Sequence, residues 1–195
     1  MKKTVIIKYN AGNIRSVDFA MKRLHQDAEI TDDHEKIKKA DRVIFPGVGE
    51  AKSTMDYLNK RGLDDLIINL EQPVLAICLG MQLMCESSEE RNAKTLGLIN
   101  TKVKRFQGNI KVPHMGWNRI FGLNSPLFEG IEEGAFVYFV HSYYVPMTGY
   151  TIAKSYHSRL FSAAVQKDNF YAVQFHPEKS GSIGEQILTN FLNKV

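Results

Sequence analysis

An apolar run at residues 73–77 ends at Cys78, and a helix-like pattern, Leu79-Gly80-Met81-Gln82, begins at once. No other segment constrains the chain as much. A strand that turns directly into a helix leaves its turn residue standing clear of the sheet, with the next backbone N–H free beside it. Such a turn is crowded, so small residues are needed two positions to either side, and Ala76 and Gly80 are there. A free cysteine taken alone reads as a buried apolar residue; at this junction Cys78 reads as a nucleophile.

The neighbouring segments set the fold class. Residues 5–9, 41–45 and 73–77 read as buried strands. Residues 13–24, 51–59 and 63–70 read as helices, with Ile14, Val17, Met21 and Leu24 on one stripe of the first. This alternation predicts an α/β fold: a central, mostly parallel sheet flanked by helices. Ligand chemistry in such folds gathers at the carboxyl ends of the strands, where Cys78 and Pro46-Gly47-Val48-Gly49 both fall. Later the character changes. Residues 101–106, 136–145, 151–156 and 171–175 read as strands joined by turns, which predicts added antiparallel hairpins, and residues 183–192 read as a closing helix. There is no repeat or linker-like tract, and 195 residues suit one domain spanning 1–195.

Composition excludes more than it selects. A hydrophobic fraction of 44% and a charged fraction of 24% are ordinary for a globular chain. The net charge of +4 is spread out, and its densest patch, Lys102-Val103-Lys104-Arg105, alternates like a solvated strand face. That argues against a nucleic-acid partner. The first apolar stretch, Thr4-Val5-Ile6-Ile7, is far too short for a signal core or a membrane span, so the chain reads as cytoplasmic, with no membrane partner. With the helix continuing past Gly80, Cys78 and Cys85 lie two turns apart, about 10 Å, beyond the roughly 7 Å reach of a disulfide. Cys85 reads as a small buried hydrophobe. No cysteine or histidine pair has zinc-ligand spacing, so neither a metal nor another cofactor is expected.

The partners of Cys78 come late, in Gln174-Phe175-His176-Pro177-Glu178. In an extended segment, residues two apart share a side at about 6–7 Å, and Pro177 biases His176 toward extended geometry. A histidine beside the thiol can take its proton, and a carboxylate behind the imidazole can orient it and stabilise its cation. The glycines at 47 and 49 permit backbone N–H groups to line an anion pocket opposite Cys78. His114, in Val112-Pro113-His114-Met115-Gly116-Trp117-Asn118, and His141, in the aromatic segment 137–144, are each open to two readings, a second base or a structural hydrogen-bonder; the structural one is favoured. These two segments hold the only tryptophan and many of the aromatics, which suggests a core wall or a partner-facing surface.

Cys78-Leu79-Gly80-Met81-Gln82 together with His176-Pro177-Glu178 resembles the class I, triad-type glutamine amidotransferases. The resemblance implies that family's fold and its chemistry, in which the glutamine amide is taken up as a γ-glutamyl thioester and ammonia is released. Five segments narrow it: Tyr9-Asn10-Ala11-Gly12-Asn13-Ile14-Arg15-Ser16, Pro46-Gly47-Val48-Gly49, Pro113-His114-Met115-Gly116-Trp117-Asn118, residues 138–143, and His176-Pro177-Glu178-Lys179-Ser180. Together they are similar to the members that feed ammonia to a cyclase in histidine biosynthesis, from the first strand to the last helix. Cys78 is then the nucleophile, His176 the general base and acid, and Glu178 the carboxylate that orients it. The Leu79 amide, and the Val48 amide once its loop is turned, stabilise the oxyanion. Gly49, Gln82, Glu90, Ser142 and Tyr143 match positions that hold L-glutamine, with Glu90 able to pair with its α-ammonium.

The implied partner is a separate cyclase subunit with a (β/α)-barrel fold, in a heterodimer. Asn13, Met115, Trp117, Tyr138 and Lys179 lie on the docking side by the same resemblance. Direct passage across that interface keeps ammonia from being protonated in bulk water. Family members often carry Asp before the glycine segment, where this chain enters with Lys8-Tyr9-Asn10, whereas Asn13 is retained. Three other readings compete. A paralogous amidotransferase would feed ammonia to a different synthase, and the neighbouring reading frame would tell. A cysteine hydrolase on the same scaffold would turn over alone and has no use for Pro-His-Met-Gly-Trp-Asn. A silent binding subunit would have an incomplete triad, but Cys78, His176 and Glu178 are all present.

Overall fold

The computed structural model describes residues 2–9, 14–47 and 49–195. Strand β1 (Thr4–Ile7) leads through helix α1 (Ile14–Arg23), β2 (Ala28–Thr31) and α2 (His34–Lys38) to β3 (Arg42–Phe45). Helices α3 (Ala51–Arg61) and α4 (Leu63–Ile68) return the chain to β4 (Val74–Ile77), and α5 (Leu79–Leu83) follows directly. Then come β5 (Cys85–Ser88), β6 (Ala93–Lys94), β7 (Ile99–Arg105), β8 (His114–Arg119), β9 (Phe136–His141) and β10 (Tyr143–Tyr144). Strands β11 (Thr151–Tyr156), β12 (Leu160–Lys167) and β13 (Phe170–Val173) precede the closing helix α6 (Gly181–Lys194).

Among the described residues the main sheet has seven strands in the order β11-β12-β13-β4-β3-β1-β2. From β13 to β2 the strands are parallel; β12 and β11 complete the sheet antiparallel. Every residue of β1, β3 and β4 is buried, which is why these strands read as continuous apolar runs. Their side chains alternate between two cores. Val5, Ile7, Val43, Phe45, Val74 and Ala76 meet α3 and α4 through Met55, Leu58, Leu63 and Leu66. Ile6, Ile44, Leu75 and Ile77 meet α1 and α6 through Val17, Met21, Ile187 and Phe191. Among the described residues, no helix is long and apolar enough to cross a membrane.

The expected hairpins divide into three groups. Strands β11 and β13 extend the main sheet, as anticipated, with β12, a strand not expected from the sequence, between them, while β10-β7-β5-β6 and β8-β9 form sheets of their own. The strand expected over 136–145 breaks at Ser142: its carbonyl accepts from the Phe106 N–H and the His141 ring bonds to the Tyr143 carbonyl, so the chain changes sheets there. The helix expected to run on past Gly80 ends at Leu83. Cys85 instead begins β5, because its carbonyl accepts from the Gly97 N–H and the Thr95 hydroxyl. Both cysteines are free.

The β8-β9 ribbon has two unlike faces. His114 stands opposite His141 and Gly116 opposite Phe139, turned inward. Met115, Trp117 and Phe136 are about half exposed on the outer face, where Tyr138 pairs with Trp117.

Candidate active site

Strands β4 and β13 are parallel neighbours, with Val173 in register with Ile77. Their carboxyl ends therefore deliver Cys78 and His176 to one place. Cys78 holds φ 54°, ψ −107°, a left-handed conformation that costs a non-glycine residue about 1–3 kcal/mol. Its N–H donates to the Val173 carbonyl at 2.7 Å, and its carbonyl accepts from Gln82 N–H as α5 begins. The crowding foreseen from sequence is real. A Cβ on Gly80 would lie 2.4 Å from the Phe45 carbonyl oxygen, and one on Gly47 would lie 2.2 Å from the Gly80 nitrogen.

His176 Nδ1 and Glu178 Oε1 are 2.8 Å apart, with both side chains almost fully buried. The contact does not come from an extended segment, as the spacing predicted. His176 is extended (φ −101°, ψ 96°), but Pro177–Lys179 forms a 3₁₀ turn that folds Glu178 back onto the imidazole. Burial acts to lower the His176 pKa; the charge of Cys78 and the Glu178 carboxylate outweigh it, and the pKa is raised. The same turn ties the histidine to the ribbon. His176 N–H donates to the Tyr138 carbonyl at 2.9 Å. The Ser180 hydroxyl donates to the His176 carbonyl at 2.6 Å and accepts from the Tyr138 N–H at 3.0 Å.

Cys78 opens onto a pocket of ≈ 360 Å³. Gly49, Leu79, Gln82, Glu90, Ser142, Tyr143 and His176 all line it, so the structure brings together the substrate positions expected from sequence. A hollow of ≈ 450 Å³ lies elsewhere, against His34, Lys38 and Asp65, and contains no cysteine. Gln82 donates its amide hydrogens to the Tyr143 carbonyl at 2.9 Å and to Gln174 Oε1 at 3.0 Å, so its own carbonyl is what it offers a ligand. One oxygen of Glu90 accepts from the Ala51 N–H at 2.7 Å. Burial raises the Glu90 pKa, against the effect of that hydrogen bond. Val48 and Asn13 fall outside the described residues.

Sequence reasoning gave no role to Gln174. It is fully buried, and its amide donates to the Cys78 sulfur at 3.7 Å. The signal that could have found it was a polar residue between Val173 and Phe175, two positions from His176 on the same strand face. The histidines on the ribbon resolve to structure. His141 Nδ1 must donate to the Tyr143 carbonyl, 2.7 Å away, so a neutral His141 accepts on Nε2 from His114 Nδ1 at 2.9 Å. His114 in turn accepts from Asn118 on Nε2 at 3.0 Å. Burial lowers their pKa values to about 4 for His114 and about 3 for His141. Neither has a lone pair to spare for a second base.

The docking residues expected on the ribbon share one region. The Trp117 and Tyr138 rings are edge-on at 6.1 Å, and Lys179 Nζ lies 6.0 Å from the Tyr138 ring centroid. Met115 is 55% exposed and Trp117 56%, an unusual state for such large side chains.

The chain belongs to the class-I glutamine amidotransferase family, whose model matches residues 6–195. More particular relatives carry the name imidazole glycerol phosphate synthase subunit HisH. One from Bacteroides fragilis is 60% identical over 193 residues, covering 97% of this chain and 98% of the relative. Another, from Haemophilus influenzae, is 50% identical over 197 residues, covering 100% and 99%. Solved structures show the same fold at greater distance. PurLQS from Thermotoga maritima superposes with a TM-score of 0.74 at 16% identity, covering 100% of this chain and 99% of that one. A structure described as a glutamine amidotransferase gives 0.73 at 18%, covering 96% of each.

Proposed function

We propose that this chain is the glutaminase subunit of an imidazole glycerol phosphate synthase, hydrolysing L-glutamine and passing ammonia to a cyclase subunit in histidine biosynthesis. The observation that carries the reading is the 60% identity, over nearly the whole of both chains, to a relative of that name. The pocket supports it by presenting a thiol, a buried imidazole–carboxylate pair and a second carboxylate at its rim.

In this mechanism His176 takes the Cys78 proton and the sulfur attacks the amide carbon of glutamine. The carbonyl π electrons move to oxygen, and the Leu79 and Val48 amides stabilise the oxyanion. Its collapse breaks the C–N bond, and His176 protonates the leaving nitrogen to give ammonia and a thioester. Water, deprotonated by His176, cleaves the thioester to glutamate and regenerates the thiol. Glu178 stabilises the imidazolium in both halves. Glu90 meets the α-ammonium of glutamine, whose positive charge offsets the burial of that carboxylate.

The cyclase partner, a (β/α) barrel, docks on Met115, Trp117, Tyr138 and Lys179, with Asn13 beside them, in a cytoplasmic heterodimer. A half-exposed Trp and Met on a rigid ribbon suit the buried centre of an interface. The test is glutamate release from glutamine by the chain alone, with the barrel subunit, and with that subunit plus its phosphoribulosyl-formimino ribonucleotide substrate. A large rise only in the third condition, absent in Cys78→Ala, is expected. Equal, Cys78-dependent rates in all three would remove the proposed partner and leave the amidotransferase chemistry.

A further inference from the structure

The Leu79 amide is not free. Its N–H donates to the Gly47 carbonyl at 3.3 Å, so that carbonyl occupies the donor an oxyanion would need. The preceding carbonyl, that of Pro46, is also held: it accepts from the hydroxyl of Tyr9. Tyr9 is 4% exposed, and its ring packs against Phe45 with centroids 5.6 Å apart. Two consecutive carbonyls of the loop thus have fixed donors, one from the start of α5 and one from Tyr9, two residues past β1. Gly47 sits so close to α5 that a Cβ there would lie 2.2 Å from the Gly80 nitrogen and 2.7 Å from Leu79; freeing the Leu79 N–H requires the Gly47 carbonyl to turn away.

We propose that Tyr9 is a positioning residue which holds the Pro46 carbonyl, and through it the loop, in the arrangement that occupies the Leu79 amide. This rests on the reading of Leu79 as an oxyanion donor. Tyr9 is well placed for control. Burial, and after it the interaction with Cys78, raises its pKa, so the hydroxyl keeps its proton and remains a donor. It also directly precedes the segment carrying Asn13, so displacement of that segment by a docked partner would act on Tyr9 through the chain itself.

The test is Tyr9→Phe, assayed for glutaminase in complex with the barrel subunit, with and without the barrel's nucleotide substrate. Losing the hydroxyl leaves the Pro46 carbonyl unsatisfied only in the resting loop, so the unstimulated kcat is expected to rise about three- to tenfold. KM for glutamine and the stimulated rate should stay within about twofold, because the pocket walls are untouched and the turned loop no longer uses Tyr9. The stimulation ratio therefore falls. A purely structural tyrosine would lower Tm and leave the ratio as it was, and that result overturns the proposal. If the phenylalanine variant does not fold, Tyr9→Met, a flexible apolar side chain without a hydroxyl, is read in the same way. Loss of Cys78 dependence in the wild type would instead sink the glutaminase reading itself.

Discussion

The two sides of the Cys78 pocket differ in readiness. On one side His176, Glu178 and Gln174 are buried and aligned, with the imidazole held through both its ring and its backbone. On the other side the Leu79 amide is covered by the Gly47 carbonyl. In the proposed mechanism, the side that supplies the nucleophile is complete, and the side that would stabilise the developing negative charge is closed. Control placed there would be effective, since a single missing oxyanion donor lowers a rate by about 10²–10³-fold. It also leaves the buried, hydrogen-bonded His176–Glu178 pair undisturbed.

The largest losses are expected on the finished side. Cys78→Ala should lower glutamine hydrolysis by at least about 10⁴-fold, measured as glutamate formed by the stimulated complex. Residual turnover near wild type would mean that another group does the chemistry. Glu178→Gln keeps the shape of the turn but removes the charge behind His176, and kcat should fall about 10³–10⁴-fold with little change in KM. A loss confined to KM would make Glu178 a binding residue instead. On the closed side, Val48→Pro deletes one N–H and should cost about 10²–10³-fold in stimulated kcat. Full stimulated activity in a folded, docked variant would remove Val48 from the mechanism.

The smallest effects are proton equilibria. Replacing Cys78 by alanine removes one of the interactions that raise the His176 pKa, so the imidazole should titrate lower in Cys78→Ala by NMR. An unchanged titration would uncouple the two. His114 and His141 behave oppositely. Their folded pKa values, about 4 and about 3, lie below the ordinary value of 6.5. The unfolded chain then binds more protons in between, so their contribution to stability is whole above pH about 6.5 and is lost as pH falls toward about 4 and then 3. Ring resonances of either histidine titrating near 6.5 would contradict the hydrogen-bonded chain from Asn118 to Tyr143.

Much of this was legible in the residues, for reasons that differ from place to place. The β4–Cys78–α5 junction announces itself because its constraints are local: an apolar run, two small flanking residues, and a change of period. The buried strands β1 and β3 are legible for the same reason. What stayed hidden depends on contacts distant in sequence. Strand β5 begins at Cys85 only because residues 95–97 and β7 pair with it. The two-residue spacing correctly paired His176 with Glu178 but gave the wrong geometry, since a Pro in first position is equally suited to open a 3₁₀ turn. Gln174 and Tyr9 looked like ordinary strand residues. Their roles appear only when β13 lies beside β4, and when the end of β1 meets the loop after β3.

One further consequence concerns the two thiols. Cys85 is completely buried, and burial pushes its pKa up to about 12, whereas Cys78 lines an open pocket. An alkylating reagent such as iodoacetamide should therefore stop at one equivalent per native chain. A second equivalent should be consumed only as molecules unfold. The chain carries its own titrant count, in which the first label measures intact pockets and the second measures damage.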